Sequence, residues 1–251
     1  MYQFFKKVFL RKSIYLLVIV ISLFTALYFY LHHFSASAFP QHEDVFNIFR
    51  GNTEKEHVAI TFNVTWGDEK IVDILSTLKD NNVKATFFVS GEWAERHPQL
   101  LSDIERDGHE VGMLGYRFTN YVDGDLKDVE KDLRFAKGFF HKLGYEKMTY
   151  VRTPNYLFND DILSIAEKLN LTYIHWSVNP YDYKNPGVNK ISNTVISNSK
   201  PGDIILLHAS DSAKQTAESL QSIVPALKNK YKVVTISELT SKATVEEKLL
   251  E

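Results

Sequence analysis

The chain has 251 residues, no cysteine and a formal net charge of −2 at pH 7. This length predicts one principal globular domain. The lack of cysteine excludes disulfides, thiolate metal ligands and a cysteine nucleophile, so histidine and carboxylate side chains would have to hold any bound metal.

The N-terminal residues have the pattern of a membrane anchor. Four basic residues precede an uncharged apolar run at 13–31, which is about as long as a helix that crosses a bilayer, and no acidic residue occurs before Glu43. The positive-inside rule then predicts a cytoplasmic basic tail at 1–12, a single span at 13–31 and a domain outside the cytoplasm. The alternative is a signal peptide cleaved near Ala38, although the run exceeds the roughly 7–15 apolar residues usual for one.

The part beyond the anchor is predicted to be acidic. Removing the four basic residues of the tail from the 29 in the chain leaves 25 against 31 acidic residues, a formal charge of −6. A domain with this charge is not expected to bind nucleic acid. Residues 32–56 lack clear periodicity and are interpreted as a stalk with a short ordered piece near 45–49, and residues 241–251 as a charged tail.

From residue 57 onward, short β-rich runs alternate with segments of helical period. The runs predict strands at 58–62, 85–89, 110–112, 149–152, 172–178, 204–208 and 232–236. Apolar residues at helical spacing predict crossover helices within 71–78, 126–140, 162–169 and 217–227. About seven parallel strands joined by helices predict an α/β fold, a distorted (β/α) barrel over residues 57–240.

Polar side chains follow several of the predicted strands. They are Asn63, Arg152, Asn179, Asp182 and His208. Barrels of this class carry their chemistry on the loops after the carboxyl ends of the strands. These five residues are therefore the candidate site.

Five short motifs overlap the predicted strands, four of them at the carboxyl ends. They read TFNVTWG at 61–67, HEVG at 109–112, VRTPNY at 151–156, WSVNPYDY at 176–183 and LLH at 206–208. In order and spacing they resemble the polysaccharide deacetylase (NodB homology) family, also called carbohydrate esterase family 4, and more narrowly its sporulation-associated PdaB branch. Together the motifs are specific, whereas any one alone would be weak. The resemblance implies a zinc-dependent enzyme that removes N-acetyl groups from cell-wall glycan such as peptidoglycan.

The first two motifs depart from the family. The resemblance implies a general-base Asp followed by a metal-binding Asp where this chain has Asn63 and Val64, and two metal-binding His where it has Leu114 and Phe118. An amide accepts no proton near neutral pH, and apolar side chains cannot bind Zn²⁺. We therefore predict that the family's zinc cofactor is lost and that the base position is degenerate.

The remaining motifs keep the other half of the implied site. By resemblance, His208 is the general acid, Asp182 is the carboxylate that tunes it, and Arg152 is the residue that pairs with the base. Each also has a structural interpretation: Arg152 as an ion-pair partner at the barrel top, His208 as a hydrogen-bonded structural residue, and Asp182 as part of a turn.

Aromatic and amide side chains near these motifs are predicted to contact glycan, because flat rings offer apolar surface to sugars. The predicted binding residues are Trp66, Tyr156, Tyr183 and Asn179, and Tyr183 replaces a Trp of the family. His109 and Glu110 begin a strand and are expected to be structural.

Two functional hypotheses follow. The first is a divergent but active peptidoglycan N-deacetylase, and the second is a glycan-binding pseudoenzyme with little or no metal-dependent turnover. A poorer alternative, a glycoside hydrolase, needs two carboxylates flanking the bond, and only Asp182 with Asp68 or Asp211 is available. The expected partners are cell-wall glycan and the membrane, and the protein is expected to be a monomer.

Overall fold

The computed structural model describes Ser22, Thr25, Tyr28 and residues 47–146 and 148–241. The chain divides into one unit at Met1–Asp44 and another at Val45–Glu251. In the first unit the three described residues are helical. None of the helices in the described ranges has the length and apolar character to cross a membrane. The predicted anchor, its signal-peptide alternative and the charged tail fall almost entirely outside those ranges and stay predictions.

The second unit is built on a parallel sheet of eight strands. The strands are β1 Asn47–Ile48, β2 His57–Val64, β3 Thr86–Val89, β4 Glu110–Met113, β5 Tyr150–Val151, β6 Thr172–Ile174, β7 Ile204–His208 and β8 Lys232–Val234. Their order is β1-β6-β5-β4-β3-β2-β7, and β8 pairs with the first residues of β2. Isolated bridges Arg50–Asp203 and Val178–Ile205 join β7 to the chain near β1 and β6. The sheet thus curls into an open α/β barrel of parallel strands, a half-barrel, which confirms the predicted α/β fold with parallel strands.

Helices connect the strands and cover the outside of the sheet. They are α1 Lys70–Asp80, α2 Gly91–Arg96, α3 Pro98–Arg106, α4 Leu126–Lys142, α5 Asp160–Lys168, α6 Val188–Asn198, α7 Thr216–Lys228 and α8 Ile236–Thr240, with a 3-10 turn at Asp182–Lys184. The apolar stripes that predicted α1, α4, α5 and α7 face the core, apart from Leu126, which is 40% exposed. The crossover helices are therefore confirmed.

The two-residue alternation of β2 sorts its side chains between two layers. Phe62 and Val64 belong to the large apolar cluster that includes the buried faces of the helices, whereas Ala59 belongs to a smaller cluster inside the barrel. Thr61 and Asn63 follow Ala59 at intervals of two and therefore face the interior. Neighbouring residues at the end of this strand thus point in opposite directions.

Two predicted strands end at least two residues earlier in the structure. The last strand ends at Val234, because Thr235 caps α8 in a reciprocal hydrogen-bonded pair with Glu238 and Ile236 becomes the first helical residue. The strand predicted at 172–178 ends at Ile174, and Val178 adds only a single bridge.

The predicted stalk contributes to the barrel unit at its C-terminal end. β1 pairs in parallel with β6, and Arg50 forms a 2.6 Å ion pair with the fully buried Asp203. The backbone N–H of Gly51 also donates to the carbonyl of Gly202 at 2.8 Å. The strand β1 lies where a short ordered piece was predicted, near residues 45–49. Because these contacts tie it to the sheet, the domain begins before residue 57, where its start was predicted.

Candidate active site

Three inward-facing side chains form one layer at the carboxyl end of the barrel. Asn63 of β2 is in register with Phe88 of β3 on one side and with His208 of β7 on the other. Side chains in register on adjacent strands lie on the same face of a sheet. The layer joins the degenerate base position to the predicted acid, as the resemblance implies.

The predicted acid and its carboxylate are in direct contact. His208 Nδ1 and Asp182 Oδ1 lie 2.7 Å apart, and Asp182 Oδ2 accepts hydrogen bonds from the His208 backbone N–H and the Thr216 hydroxyl, both at 2.7 Å. Asp182 is fully buried and His208 is 6% exposed. Because the carboxylate accepts, Nδ1 carries the ring proton. Sequence reasoning missed Thr216, whose only signal is a hydroxyl at the start of the helix after β7.

The loop that presents Asp182 is held by turn chemistry. Asn179 Oδ1 accepts the backbone N–H of Tyr181 at 2.8 Å, and Tyr181 adopts a left-handed conformation with φ 56°. The 3-10 turn follows at once and places Asp182 against β7. Asp182 therefore belongs to a turn, which Asn179 stabilises, and the predicted contact of Asn179 with glycan stays a prediction.

The predicted glycan-binding residue Tyr156 lies on the other nitrogen of the histidine. Its hydroxyl is 2.6 Å from His208 Nε2, and burial raises the pKa of Tyr156, so the hydroxyl stays protonated. With the ring proton on Nδ1, Nε2 is the acceptor of this bond and already has a partner. Tyr156 has φ 70°, a left-handed conformation that costs a residue other than glycine about 1–2 kcal/mol. Such strain is concentrated at functional sites.

Arg152 lies beneath this layer and is fully buried. Its Nη1 donates to Asn63 Oδ1 at 2.8 Å, and its other nitrogens donate to the Thr61 hydroxyl and to the carbonyls of Ile174 and His175 at 3.0–3.2 Å. All of these acceptors are neutral, and in the described chain Arg152 has no ion pair with a carboxylate. Burial therefore lowers the pKa of Arg152 to about 9, which still leaves it charged at neutral pH.

The guanidinium also lies over an aromatic ring that depends on a glycine for its space. The Arg152 guanidinium carbon is 4.1 Å from the centre of the Phe88 ring, a distance that suits a cation–π contact. A Cβ at Gly112, on the neighbouring strand, would come within 2.7 Å of that ring. The HEVG motif therefore supplies the room for the platform under Arg152.

Asn63 is 2% exposed and only half of its amide has a partner. Its oxygen faces Arg152, and among the described residues no hydrogen-bond partner lies near its nitrogen Nδ2, which is itself shielded from solvent. A buried donor without an acceptor costs roughly 1–3 kcal/mol. The base position thus holds a hydrogen-bond donor in place of a proton acceptor.

The three positions where the family implies metal ligands do not fit a zinc ion. Val64 and Leu114 are fully buried in apolar clusters, and Phe118 is 55% exposed on the loop after β4. None offers an oxygen, nitrogen or sulfur donor. Within residues 47–146 and 148–241, no group of three or more His, Asp or Glu side chains is placed to hold a metal. The loss of the family's zinc remains a prediction for metal analysis to test.

Aromatic side chains surround the mouth of the barrel. Tyr183 is 36% exposed and its ring centre lies 5.3 Å from that of His208, while Tyr156 lies between Tyr183 and Trp176, with ring centres 6.2 and 5.5 Å away. Trp66 follows β2, is 61% exposed and makes no ring contact with these residues in the described chain.

The other candidate residues serve the fold. His109 Nδ1 accepts the backbone N–H of Ala85, and Glu110 accepts the Thr86 hydroxyl, as expected for structural residues at a strand start. Asp211 accepts three backbone N–H groups at the beginning of α1. Asp68 has a side chain that is 61% exposed. Asp182 is fully buried and Asp211 is occupied by backbone donors, so neither carboxylate is free to act on a glycosidic bond, which disfavours the glycosidase hypothesis.

A cleft of about 670 Å³ lies to one side of the barrel mouth. It is bounded by the loop after β4 and by α4, with Tyr116 and Phe135 among its lining residues. The Tyr116 hydroxyl donates to Glu95, and its ring packs edge-on against Phe135. Tyr116 therefore belongs to this side cleft and makes no ring contact with the aromatic residues around His208.

Comparison with known proteins decides the family. A family model described as polysaccharide deacetylase matches residues 50–174. A peptidoglycan-N-acetylglucosamine deacetylase from Bacillus cereus is 34% identical over 192 residues, which cover 75% of this chain and 89% of that protein. The chain belongs to the polysaccharide deacetylase family. This confirms the resemblance at the level of the family.

Other relatives differ in what their names state. An uncharacterized protein of Bacillus subtilis, YlxY, is 30% identical over 193 residues, which cover 76% of this chain and 60% of that protein. The crystal structure of BA3943, a carbohydrate esterase family 4 pseudoenzyme from Bacillus anthracis, has a TM-score of 0.72 and 31% identity, covering 77% of this chain and 68% of that one. A BA3943 mutant with restored enzymatic activity gives the same TM-score at 30% identity, covering 77% of this chain and 70% of that one.

Proposed function

We propose that this polysaccharide deacetylase family member binds N-acetylated cell-wall glycan, such as peptidoglycan, at the carboxyl end of its barrel, with little or no zinc-dependent deacetylase activity. We place it in the sporulation-associated PdaB-like branch, anchored in the cell membrane with the domain outside the cytoplasm, and acting as a monomer. A secreted form cleaved near Ala38 is the alternative to the anchor.

One observation carries the proposal. The implied base and metal-ligand positions hold Asn63, Val64, Leu114 and Phe118, and two of these side chains are fully buried in the apolar core. A water bound to zinc has its pKa lowered from about 15.7 toward 7, and a base is needed to use a water that is not so activated. Without either group, hydrolysis of an acetamide should be slower by many orders of magnitude.

The mouth of the barrel nonetheless keeps features that suit sugar binding. Exposed apolar side chains, most of them aromatic, occur on the loops that follow β2, β4, β5 and β6: Trp66, Phe118, Leu157, Tyr181 and Tyr183. Exposed aromatic residues at a cleft indicate a binding surface. BA3943, a carbohydrate esterase family 4 pseudoenzyme of similar fold, supports the part of the proposal that concerns the loss of activity.

The second candidate function is a divergent deacetylase that hydrolyses the acetamide C–N bond. The retained contact of His208 with Asp182, at 2.7 Å, favours it, because this pair has the geometry of an acid held by a carboxylate. The hydroxyl of Tyr156 on His208 Nε2 opposes it, since a histidine that donates its proton to a leaving group needs that nitrogen free. The pseudoenzyme hypothesis therefore has the stronger support.

A binding assay combined with an acetate assay tests the proposal. The full-length chain in detergent is titrated by calorimetry with an N-acetylglucosamine tetramer, and acetate release is followed with added zinc and with chelator. We expect binding without acetate release in either condition. Zinc-dependent release at a rate typical of enzymes would contradict the proposal, and so would a lack of binding.

Two matched aromatic variants locate the binding surface. Trp66→Ala removes an exposed ring at the barrel mouth, and Phe135→Ala removes a ring that is 57% exposed beside the side cleft. We expect the first to weaken binding about tenfold, which is within the range of a stacked ring, and the second to leave it unchanged. The reverse result would move the glycan site to the side cleft.

A further inference from the structure

Asn63 holds a hydrogen-bond donor that no described group of the protein uses. Its Nδ2 is buried and lacks a partner, and its side chain faces the interior at the carboxyl end of the barrel. We propose that Asn63 Nδ2 donates to the carbonyl oxygen of the glycan's acetamido group, so that the site selects N-acetylated over de-N-acetylated sugar. This inference rests on the proposed function and assigns a group of the protein to the recognition of that ligand.

The orientation of the amide is fixed by its neighbour. Arginine has five N–H donors and no acceptor, so the atom of Asn63 that lies 2.8 Å from Arg152 Nη1 must be the oxygen. The two N–H bonds of Nδ2 therefore point away from Arg152. The donor is held in place by a partner that is itself anchored by Thr61 and two backbone carbonyls.

The charge at this site favours a neutral acceptor over an ammonium group. Arg152 is a fully buried cation without a carboxylate partner among the described residues, and it touches Asn63 directly. An acetamido carbonyl presents its negative end to such a field, whereas the ammonium of a deacetylated amino sugar would be repelled. An ammonium group also has only donors, which cannot satisfy Nδ2.

Access to the donor requires a side chain at the mouth to move, because Nδ2 is shielded from solvent. Tyr156 is suited to this movement. It is held in a left-handed conformation with φ 70°, and its hydroxyl contacts His208, the in-register neighbour of Asn63. Displacing the tyrosine side chain would free His208 Nε2 and open the layer in which Asn63 lies beside His208.

The test compares two sugars on three variants of the full-length chain. Calorimetry measures binding of an N-acetylglucosamine tetramer and of the fully de-N-acetylated tetramer. Asn63→Asp removes the donor and adds a negative charge, Asn63→Ala removes the donor alone, and Asn193→Asp makes the first change at an exposed position of α6. Asn63→Asp gains a partner in Arg152, and circular dichroism confirms that each variant is folded.

We expect the wild type to bind the acetylated tetramer at least tenfold more tightly than the deacetylated one. Asn63→Asp should abolish or reverse this preference, Asn63→Ala should reduce affinity for the acetylated tetramer alone, and Asn193→Asp should match the wild type. Equal binding of the two tetramers by the wild type, or an unchanged preference in Asn63→Ala, would overturn the inference and leave the proposed function standing. A wild type that binds neither tetramer would overturn both.

Discussion

The candidate site has two halves, which are named after the roles that the family resemblance implies: the acid half, with Asp182, His208 and Thr216, and the base half, with Asn63 and Arg152. They differ in how many of their buried polar groups have hydrogen-bond partners. In the acid half, the buried carboxylate of Asp182 receives three hydrogen bonds, from the ring and backbone of His208 and from Thr216. In the base half, Asn63 keeps a donor without a partner, and Arg152 keeps a charge without a counter-ion in the described chain. A buried network in which every polar group has a hydrogen-bond partner stabilises the fold. A buried polar group without a partner costs stability and indicates a place where a ligand could bind.

Two of the positions where the resemblance implies metal ligands are part of the apolar core in this protein. Leu114 packs inside the barrel with Phe88 and Ile174, and Val64 packs on the opposite side of the sheet with the residues under the helices. Apolar side chains at these places contribute burial that a ligand residue would not. The barrel mouth can therefore be stable in the absence of zinc, and the following predictions test each half.

The largest effect is expected from the acid half. Asp182→Ala leaves three donors without their acceptor and should destabilise the protein by about 3–5 kcal/mol, which corresponds to a fall in melting temperature of roughly 10 °C. Thermal unfolding of the full-length chain measures it, with Asp80→Ala at the exposed end of α1 as a control that should stay within about 0.5 kcal/mol of the wild type. Equal stability of the two variants would mean that the carboxylate is not part of a structural network.

Adjacent positions in the base half should respond with opposite signs. Val64→Asp places a carboxylate in the apolar cluster under the helices and should destabilise by about 3 kcal/mol, whereas Asn63→Asp gives Arg152 a counter-ion and should stabilise by about 1 kcal/mol. Chemical unfolding of both variants provides the measurement. A stable Val64→Asp protein would show that this side chain can turn toward the mouth.

His109, which lies outside the candidate site, is expected to make the stability of the fold depend on pH. Burial lowers the pKa of His109 to about 4, from 6.5 in the unfolded chain, and its Nδ1 must stay unprotonated to accept from Ala85. The unfolded state therefore binds more protons between these values, so stability is fully present above pH 6.5 and falls by about 2–3 kcal/mol as the pH approaches 4. His109→Gln retains an acceptor and should flatten this slope in chemical unfolding. An unchanged slope would assign it to other groups.

The smallest effect is expected from the hydrogen bond between Tyr156 and His208. Tyr156→Phe removes the hydroxyl that lies 2.6 Å from His208 Nε2 and should cost about 1 kcal/mol of stability. It should also leave the His208 ring freer to exchange with solvent, which nuclear magnetic resonance of the ring protons detects. If the ring exchanges equally slowly in both proteins, Tyr156 does not control access to His208.

The sequence predicted the barrel because its signals are local and repeated. Alternating strands, amphipathic helices and turn residues each carry a periodicity, and β7 was placed at its correct bounds. The helix α6 was missed. An ordered piece near 45–49 was predicted, but its strand conformation depends on pairing with β6, which the local sequence does not show.

The sequence predicted which residues form the candidate site, but it did not predict all of their burial and backbone conformations. The contacts His208–Asp182 and Arg152–Asn63 join residues that the motifs had already indicated. The burial of Val64 could have been read from the alternation that begins at Val58. The left-handed backbone of Tyr156 had no signal, because no pattern marks a tyrosine that is held by a histidine distant in sequence.

Zinc calorimetry on the full-length chain tests the central claim most directly. Catalytic zinc sites use three protein ligands and a water, so the positive control is the variant Val64→Asp, Leu114→His, Phe118→His, in which all three implied ligands are restored together. The new polar groups at the two buried positions should lower its stability without metal, and zinc should restore it by mass action. We predict that the wild type binds no zinc, and that the triple variant binds one ion when the Val64→Asp side chain turns from the helix layer toward the barrel mouth. Tight, stoichiometric zinc binding by the wild type would contradict the account.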